Sequence, residues 1–279
     1  MKFENTRAFN FDGALRGMRN PLNSWAKSDS KFFTGCNFEP DSEYDQANAV
    51  AWAWAEKQME SFMDLSEEER YQKFEEILEE VRCWLYEEGT MPSYEEHHYD
   101  MALIGPNDMA LAKRLIAGGP EHRKFLRQIM VSVDITAPLY WWKEFETYKV
   151  GTTANSTSTM HKLASTPITL DCFETDDLGE MSMMIPFVGL EESLKSFTNV
   201  IVDGCEGLRQ KYLETQDKRY WKELIRWLPN GWLQTRTITM NYENLRSMYH
   251  QRKNHKLTEW HQFCAWVESL PYAKDFIIA

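Results

Sequence analysis

The chain is 279 residues long, 43% hydrophobic and 14% aromatic with eleven Trp, enough to bury a substantial core in one large domain or two small ones. Its formal net charge of −12 speaks against a general partnership with duplex nucleic acid, which needs basic surface, although a few local Arg and Lys suffice for a small anion. The five cysteines (Cys36, Cys83, Cys172, Cys205, Cys264) are odd in number, scattered and without CxxC spacing, so free thiols in a reducing, cytoplasmic setting are expected rather than a disulfide framework or zinc ribbon.

The first residues, MKFENTRAFNFDGALRG, hold no apolar leader-like run. No segment approaches the roughly 18 uninterrupted apolar residues of a membrane span, so no membrane partner is expected. Residues 1–43 are aromatic and polar, punctuated by Gly13, Gly17, Pro21, Gly35 and Pro40, and read as an irregular arm lying on the body of the protein. A helix is expected over 43–63, with Ala47, Ala51, Ala55, Met59 and Phe62 on one face. The next helix opens at a capping box, Ser66 with Glu69, carries the apolar stripe Phe74, Ile77, Leu78, Val81, Leu85, and stops at Gly89. Its many Glu read as a solvated face rather than a metal or basic-partner site.

Asn107 opens a third helix that closes at Gly118-Gly119-Pro120. EHRKFLRQIMVSV begins helically and runs into β-branched residues, while PLYWWKEFETYKV (138–150) suits either a strand or a buried helix. Later segments are SFTNVIVDGCEGLRQKYLE, RYWKELIRWLP, WLQTRTITMNYENLRSMYHQR and a last helix from about Leu257 to Leu270. Long helices with a few strands predict an α+β (mixed α/β) fold, helices packed on a small mixed sheet.

Between Thr152 and Thr159 six of eight side chains are hydroxyls, the exceptions being Ala154 and Asn155, with Lys149 and Lys162 on the flanks. Such a cluster either cradles a phosphate or polar ring, with Gly151 letting the backbone come close, or is a Ser/Thr-rich surface loop. A second constellation places Asn241, Leu245, Met248 and Arg252 at helical spacing. Eleven residues at ~100° return to within roughly 20°, so Asn241 and Arg252 share a face about 16 Å apart. That suits either a ligand with two polar ends or an ordinary amphipathic helix. His97-His98 and the set His250, His255, Glu259, His261 lack metal-ligand spacing, so no metal is expected.

Read together, the two constellations resemble flavin-dependent thymidylate synthases, the thymidylate synthase-complementing proteins that methylate dUMP with FAD and a folate donor. Pro138-Leu139-Tyr140 starts the apolar segment, and Thr153-Ala154-Asn155 followed by Ser158-Thr159-Met160-His161 matches the second half of the family's first motif. Arg226-Trp227-Leu228-Pro229, then Thr237-Ile238-Thr239-Met240-Asn241, then Arg252, matches the later part. Thr147-Tyr148-Lys149 stands where the family has Arg-His-Arg, Met160 replaces an Arg at the dUMP phosphate, and Glu243 replaces an Arg that contacts flavin.

The resemblance implies a family-like fold over residues 105–279, with 1–104 as an N-terminal arm and helical extension. It implies Arg252 as the catalytic residue, touching the pyrimidine, with Ser158, Thr159 and Arg226 beside it on the substrate. Lys149, Thr153, Asn155 and Asn241 are implied as FAD contacts. NADPH and methylenetetrahydrofolate are the implied co-substrates, a pyrimidine nucleotide the ligand, and a homotetramer the assembly. The replaced arginines leave an alternative: a nucleotide-binding homologue that has lost catalysis and acts as a binding or structural protein.

Overall fold

The computed structural model describes residues 1–33, 55, 59, 62, 65–87, 101–176, 178, 182–185 and 190–279. The helix expected over 43–63 falls largely outside these residues, as do Gly89 and His97-His98. In order, the elements run β1 (Lys2–Phe9), α1 (Phe11–Arg19), β2 (Lys31–Phe33), α2 (Glu67–Glu87), β3 (Met101–Leu103), α3 (Pro106–Ala117), β4 (Met130–Pro138) and α4 (Leu139–Phe145). There follow β5 (Thr153–Ser156), the one-turn α5 (Thr159–Lys162), β6 (Ser182–Ile185), β7 (Leu190–Ser193), α6 (Leu194–Thr215) and α7 (Lys218–Trp227). Last come β8 (Leu233–Asn241), α8 (Tyr242–Arg252), α9 (Thr258–Glu268) and a terminal π-turn, Lys274–Ile278. Helices thus accompany small sheets, the α+β content expected. The largest described sheet has the order β1-β4-β8-β5, and β2-β3 and β6-β7 are antiparallel pairs. Among the described residues no helix is long and apolar enough to cross a membrane.

The chain divides into two compact units, one of residues 1–4, 134–149 and 153–238, the other of 5–133, 150–152 and 239–279. In the first unit, β4 and β8 pair through Thr136–Thr235 (2.7 Å) and Thr237–Asp134 (2.5 Å). These positions fall in opposite order along the two strands, the pattern of an antiparallel ladder. PLYWW proves helical: Pro138 takes extended dihedrals and starts α4, which buries Trp141, Trp142 and Phe145. The Trp142 indole N–H donates to the Gln234 carbonyl at 2.9 Å, so burying the ring leaves no orphaned donor. A second cluster joins Leu163, Ile168 and Phe173 to Val202, Cys205 and Leu224 of α6 and α7. Beside it Glu206 accepts from Arg209 (2.6 and 2.7 Å), Gln210 (2.7 Å) and the Ile168 N–H (2.8 Å).

In the second unit the N-terminal segment departs from the expected irregular arm, since residues 11–19 form α1 and bury Phe11, Ala14, Leu15 and Met18. Gly13 and Gly17 misled because they punctuate nothing. Both sit inside α1 where neighbours crowd in, a Cβ on Gly17 falling 2.4 Å from Gln128 Oε1. β1 hid for a different reason: four of its eight residues are exposed and Ala8 alone is buried, so it carries no inward alternation. The capping box on α2 forms as expected, Ser66 N–H donating to Glu69 (3.0 Å) and Glu69 N–H to Ser66 Oγ (3.4 Å).

α3 starts where Asp29 accepts the N–H groups of Asn107 (2.9 Å) and Asp108 (3.1 Å). Asp108 itself is wholly buried and accepts from Arg19 Nε (2.5 Å), Ser28 Oγ (2.6 Å), and Ser30 N (3.2 Å) and Oγ (2.5 Å). Arg19 is buried too, and its Nη2 has no hydrogen-bond partner among the described residues. Tyr242 meets Phe11 edge-to-face at 5.6 Å, as Phe276 meets Phe125 at 5.8 Å. Each such pair adds about 0.5–1.5 kcal/mol beyond area burial. The Tyr272 hydroxyl donates to Ala102 O (2.8 Å) and accepts from Ile104 N (3.0 Å), tying residue 272 to the β3 segment.

Candidate functional site

The hydroxyl-rich stretch belongs mostly to the first unit. All four residues of β5, Thr153 and Asn155 included, are exposed. Thr157 continues the strand's pairing, its N–H donating to Thr235 O (2.9 Å), and Gln234 Nε2 donates to Thr157 O (2.8 Å). The carbonyls of Ser158 and Thr159 then accept from Lys162 N and Leu163 N, both 3.1 Å, opening the single turn α5. Ser158 and Thr159 are half-buried; Lys149 is exposed and makes no ion pair among the described residues. The stretch is therefore an edge strand with exposed side chains running into a turn, where the Thr157 hydroxyl donates to Thr235 O (3.2 Å).

Arg226 lies on α7 of the same unit, exposed and ion-paired with Glu223 one turn earlier. Exposed pairs of this kind contribute about 0–1 kcal/mol, so this one can open for another anion at little cost. Arg236, which sequence reasoning missed, is held more firmly. Its guanidinium lies 4.4 Å from the Trp142 ring centroid, pairs with Glu146 (2.9 Å) and donates to Gln234 Oε1 (3.0 Å). Only the packing of β8 against the Trp142 ring of α4 reveals it, and no local motif does.

Asn241 and Arg252 belong to the second unit, at the two ends of α8. Asn241 is the N-cap, its side-chain oxygen accepting from Asn244 N (2.9 Å) while Asn244 Oδ1 accepts from Asn241 N (3.3 Å). Asn244 Nδ2 donates to Val150 O (2.7 Å), which brings the 150–152 turn against the cap. Gly151, at φ +80, is required there: a Cβ would sit 2.8 Å from Asn244 Oδ1. The close approach that this glycine permits is to the two asparagines.

Arg252 is half-buried with its guanidinium 4.7 Å from the Trp260 ring centroid. Between the two ends, Leu245 and Met248 are wholly buried. The apolar stripe of α8 is core. The sequence-predicted residues thus divide: Lys149, Thr153, Asn155, Ser158, Thr159 and Arg226 in one unit, Asn241 and Arg252 in the other.

The other flank of α8 carries charges that the sequence reading did not assemble. Arg123 grips Glu243 with two nitrogens, Nε to Oε2 at 2.9 Å and Nη2 to Oε1 at 3.1 Å. Arg246 Nη1 donates to Ile277 O (2.9 Å), and His250 Nε2 lies 3.1 Å from the same carbonyl. Together with Ser247 and Gln251, these residues line a cavity of ≈ 340 Å³. The 243-246-247-250-251 spacing is a helix face legible in the sequence, but Arg123 arrives from 120 residues away.

No protein-family model matches the sequence, and no curated protein matches it. Among solved structures, the chain is similar to a flavin-dependent thymidylate synthase, ThyX, from Helicobacter pylori complexed with FAD and dUMP. The identity is 17%, the match covers 70% of this chain and 88% of that one, and the TM-score is 0.45. A second Helicobacter pylori ThyX structure with FAD and dUMP matches over 62% of this chain and 82% of its own, again at 17% identity and a TM-score of 0.45.

Proposed function

We propose that the protein is a flavin-dependent thymidylate synthase-like enzyme, carrying out reductive methylation of dUMP or a related pyrimidine nucleotide. The observation that supports it is the order strand, Asn, helix, Arg. β8 ends at Asn241, and α8 ends at Arg252. At about 1.5 Å per residue the eleven positions separate these two side chains by about 16 Å along one helix. This is the spacing on which the sequence resemblance turns.

The residues present fit a flavin and a nucleotide as partners. Thr153 and Asn155 are exposed hydrogen-bonding groups, Lys149 is an exposed cation without an ion pair among the described residues, and Arg226 is held only by an exposed pair. In this reading Lys149 holds a flavin phosphate as a point charge, while Thr153, Asn155 and Asn241 hydrogen-bond the cofactor. Ser158, Thr159 and Arg226 hold the nucleotide phosphate. Arg252 orients the pyrimidine and favours negative charge building on its carbonyl oxygen, and the stack on Trp260 fixes the guanidinium plane. Bound FAD supplies the hydride, with NADPH and methylenetetrahydrofolate as co-substrates. A homotetramer, a cytoplasmic setting and a catalytic domain over 105–279 belong to the same reading.

The test is the absorbance of the freshly purified protein, followed by FAD reconstitution. Flavin bands are expected, and a colourless protein that takes up no FAD removes the reading. A second reading, a nucleotide-binding homologue without catalysis, is favoured by one observation. Glu243, where the family has an arginine, is locked to Arg123 and cannot serve a phosphate. Calorimetry with dUMP and dTMP separates the two: binding without flavin uptake selects the second, and silence from both nucleotides removes it.

A further inference from the structure

The cavity along α8 concentrates positive charge beyond what its own carboxylate balances. Arg123 and Glu243 neutralise one another. Arg246 is left with a backbone carbonyl as its hydrogen-bond partner and no carboxylate within ion-pair distance among the described residues. Burial first, then the charge of Arg123, lowers the Arg246 pKa, and the attraction of Glu243 only partly opposes this. His250 is lowered by burial and then by Arg246, against the raising effect of the Ile277 carbonyl, with Lys253 and Arg123 adding smaller repulsions. The charged and titratable groups lining the cavity are Arg123 before β4 and Glu243, Arg246 and His250 on α8; Lys253 adds its charge near His250, and the Ile277 carbonyl of the π-turn lies within hydrogen-bond distance of Arg246 and His250. Arg246, half-buried beside Arg123 and without a carboxylate of its own among the described residues, carries a standing cost that an anion would remove.

We infer that this cavity is a binding site for a small oxyanion-bearing ligand, a phosphate or carboxylate compound, anchored by Arg246 and flanked by Arg123, Ser247 and His250. Three features set the class. A half-buried guanidinium keeps N–H groups in the planar fork that suits an oxyanion, since among the described residues Nη1 alone is engaged. The Ser247 hydroxyl already accepts from Gln251 Nε2 (3.0 Å), which leaves its proton to donate into the cavity. The volume, ≈ 340 Å³, lies at the lower end of the roughly 300–1,000 Å³ of small-molecule sites, so the occupant is compact. One oxyanion brings the local charge of two guanidiniums and one carboxylate to zero, and a dianion is balanced by protonating His250.

The site lies wholly within the second unit and does not depend on the flavin reading. Flavin uptake is read from absorbance, so either result there leaves the following titration interpretable. The whole chain is titrated calorimetrically with sodium phosphate, with sodium acetate and with sodium chloride at matched ionic strength. Saturable binding of phosphate or acetate beyond the chloride control is expected, and which of the two binds tells phosphate from carboxylate recognition. Arg246→Gln should weaken it at least tenfold. Gln251→Glu, at an exposed position that leaves the core intact, should also weaken it by adding negative charge at the rim. Heats no larger than chloride gives, or an affinity unchanged in both variants, would overturn the proposal.

Discussion

Replacing Asp108 by alanine removes the acceptor of four hydrogen bonds from a site with no solvent access and leaves Arg19 buried beside it. Burial opposes the Asp108 charge, but the hydroxyls of Ser28 and Ser30 and the Arg19 guanidinium outweigh it and hold the carboxyl below its ordinary range. Breaking a buried pair by removing one partner costs about 3–5 kcal/mol, because the surviving charge has neither water nor a counter-ion. The high end applies here, as Arg19 Nη2 already has no hydrogen-bond partner. Urea denaturation followed by tryptophan fluorescence gives the difference at constant m-value. The double variant Arg19→Met with Asp108→Leu should recover more than half of the loss, since no charge then remains to be solvated. An Asp108→Ala cost under about 1 kcal/mol, or a double variant worse than the single, would refute the reasoning.

Four further outcomes follow from the same geometry. Gly105→Ala places a Cβ 2.6 Å from the Asp29 backbone oxygen and should destabilise by about 1–3 kcal/mol in the same denaturation assay. Tyr272→Phe loses both hydrogen bonds to the β3 segment and should cost about 1–3 kcal/mol, with faster amide exchange at Ile104 as the local readout. Glu206 is held at about 2, first by the Arg209 hydrogen bonds against burial, then by the Ile168 N–H, Gln210 and the Arg209 charge. A carboxyl lowered on folding stabilises above its ordinary value of 4.5 and loses that contribution as pH falls toward about 2. With screening discounted, about 1–2 kcal/mol should disappear across that window in wild type and not in Glu206→Gln. Arg252→Gln should weaken dUMP binding about tenfold in calorimetry while circular dichroism shows the helical content retained, and an unchanged affinity removes Arg252 from the ligand.

Local signals were the ones legible in the sequence. The Ser66–Glu69 box, the α3 stop at Gly118 and the helical spacing that begins at Asn241 each rest on residues within four positions of one another, and each was found in place. Readings that required knowledge of neighbours far along the chain went astray. Gly17 looked like a break because Gln128 was out of view, and residues 138–142 were ambiguous until Trp142 met Gln234. The candidate site shows the same division. Asn241 and Arg252 were placed on one helix by counting, yet the charges of the α8 cavity could not be, because Glu243 gains its meaning from Arg123 and Arg246 from Ile277. Glutamate and arginine at helical spacing are common surface features, and only the third partner makes them a site.

The indole of Trp266 donates to Thr6 Oγ1 across 260 positions of chain, and residues 239–279 complete the unit that residues 5–133 begin. During synthesis the N-terminal part therefore waits for most of the polypeptide to leave the ribosome before its interior can close. Until then Phe11, Leu15 and Val131 have no interior to enter, and the unit folds as a late, long-range event. Nascent chains stalled before residue 258 should be cut quickly by protease at sites within residues 5–33, and chains released at full length should not.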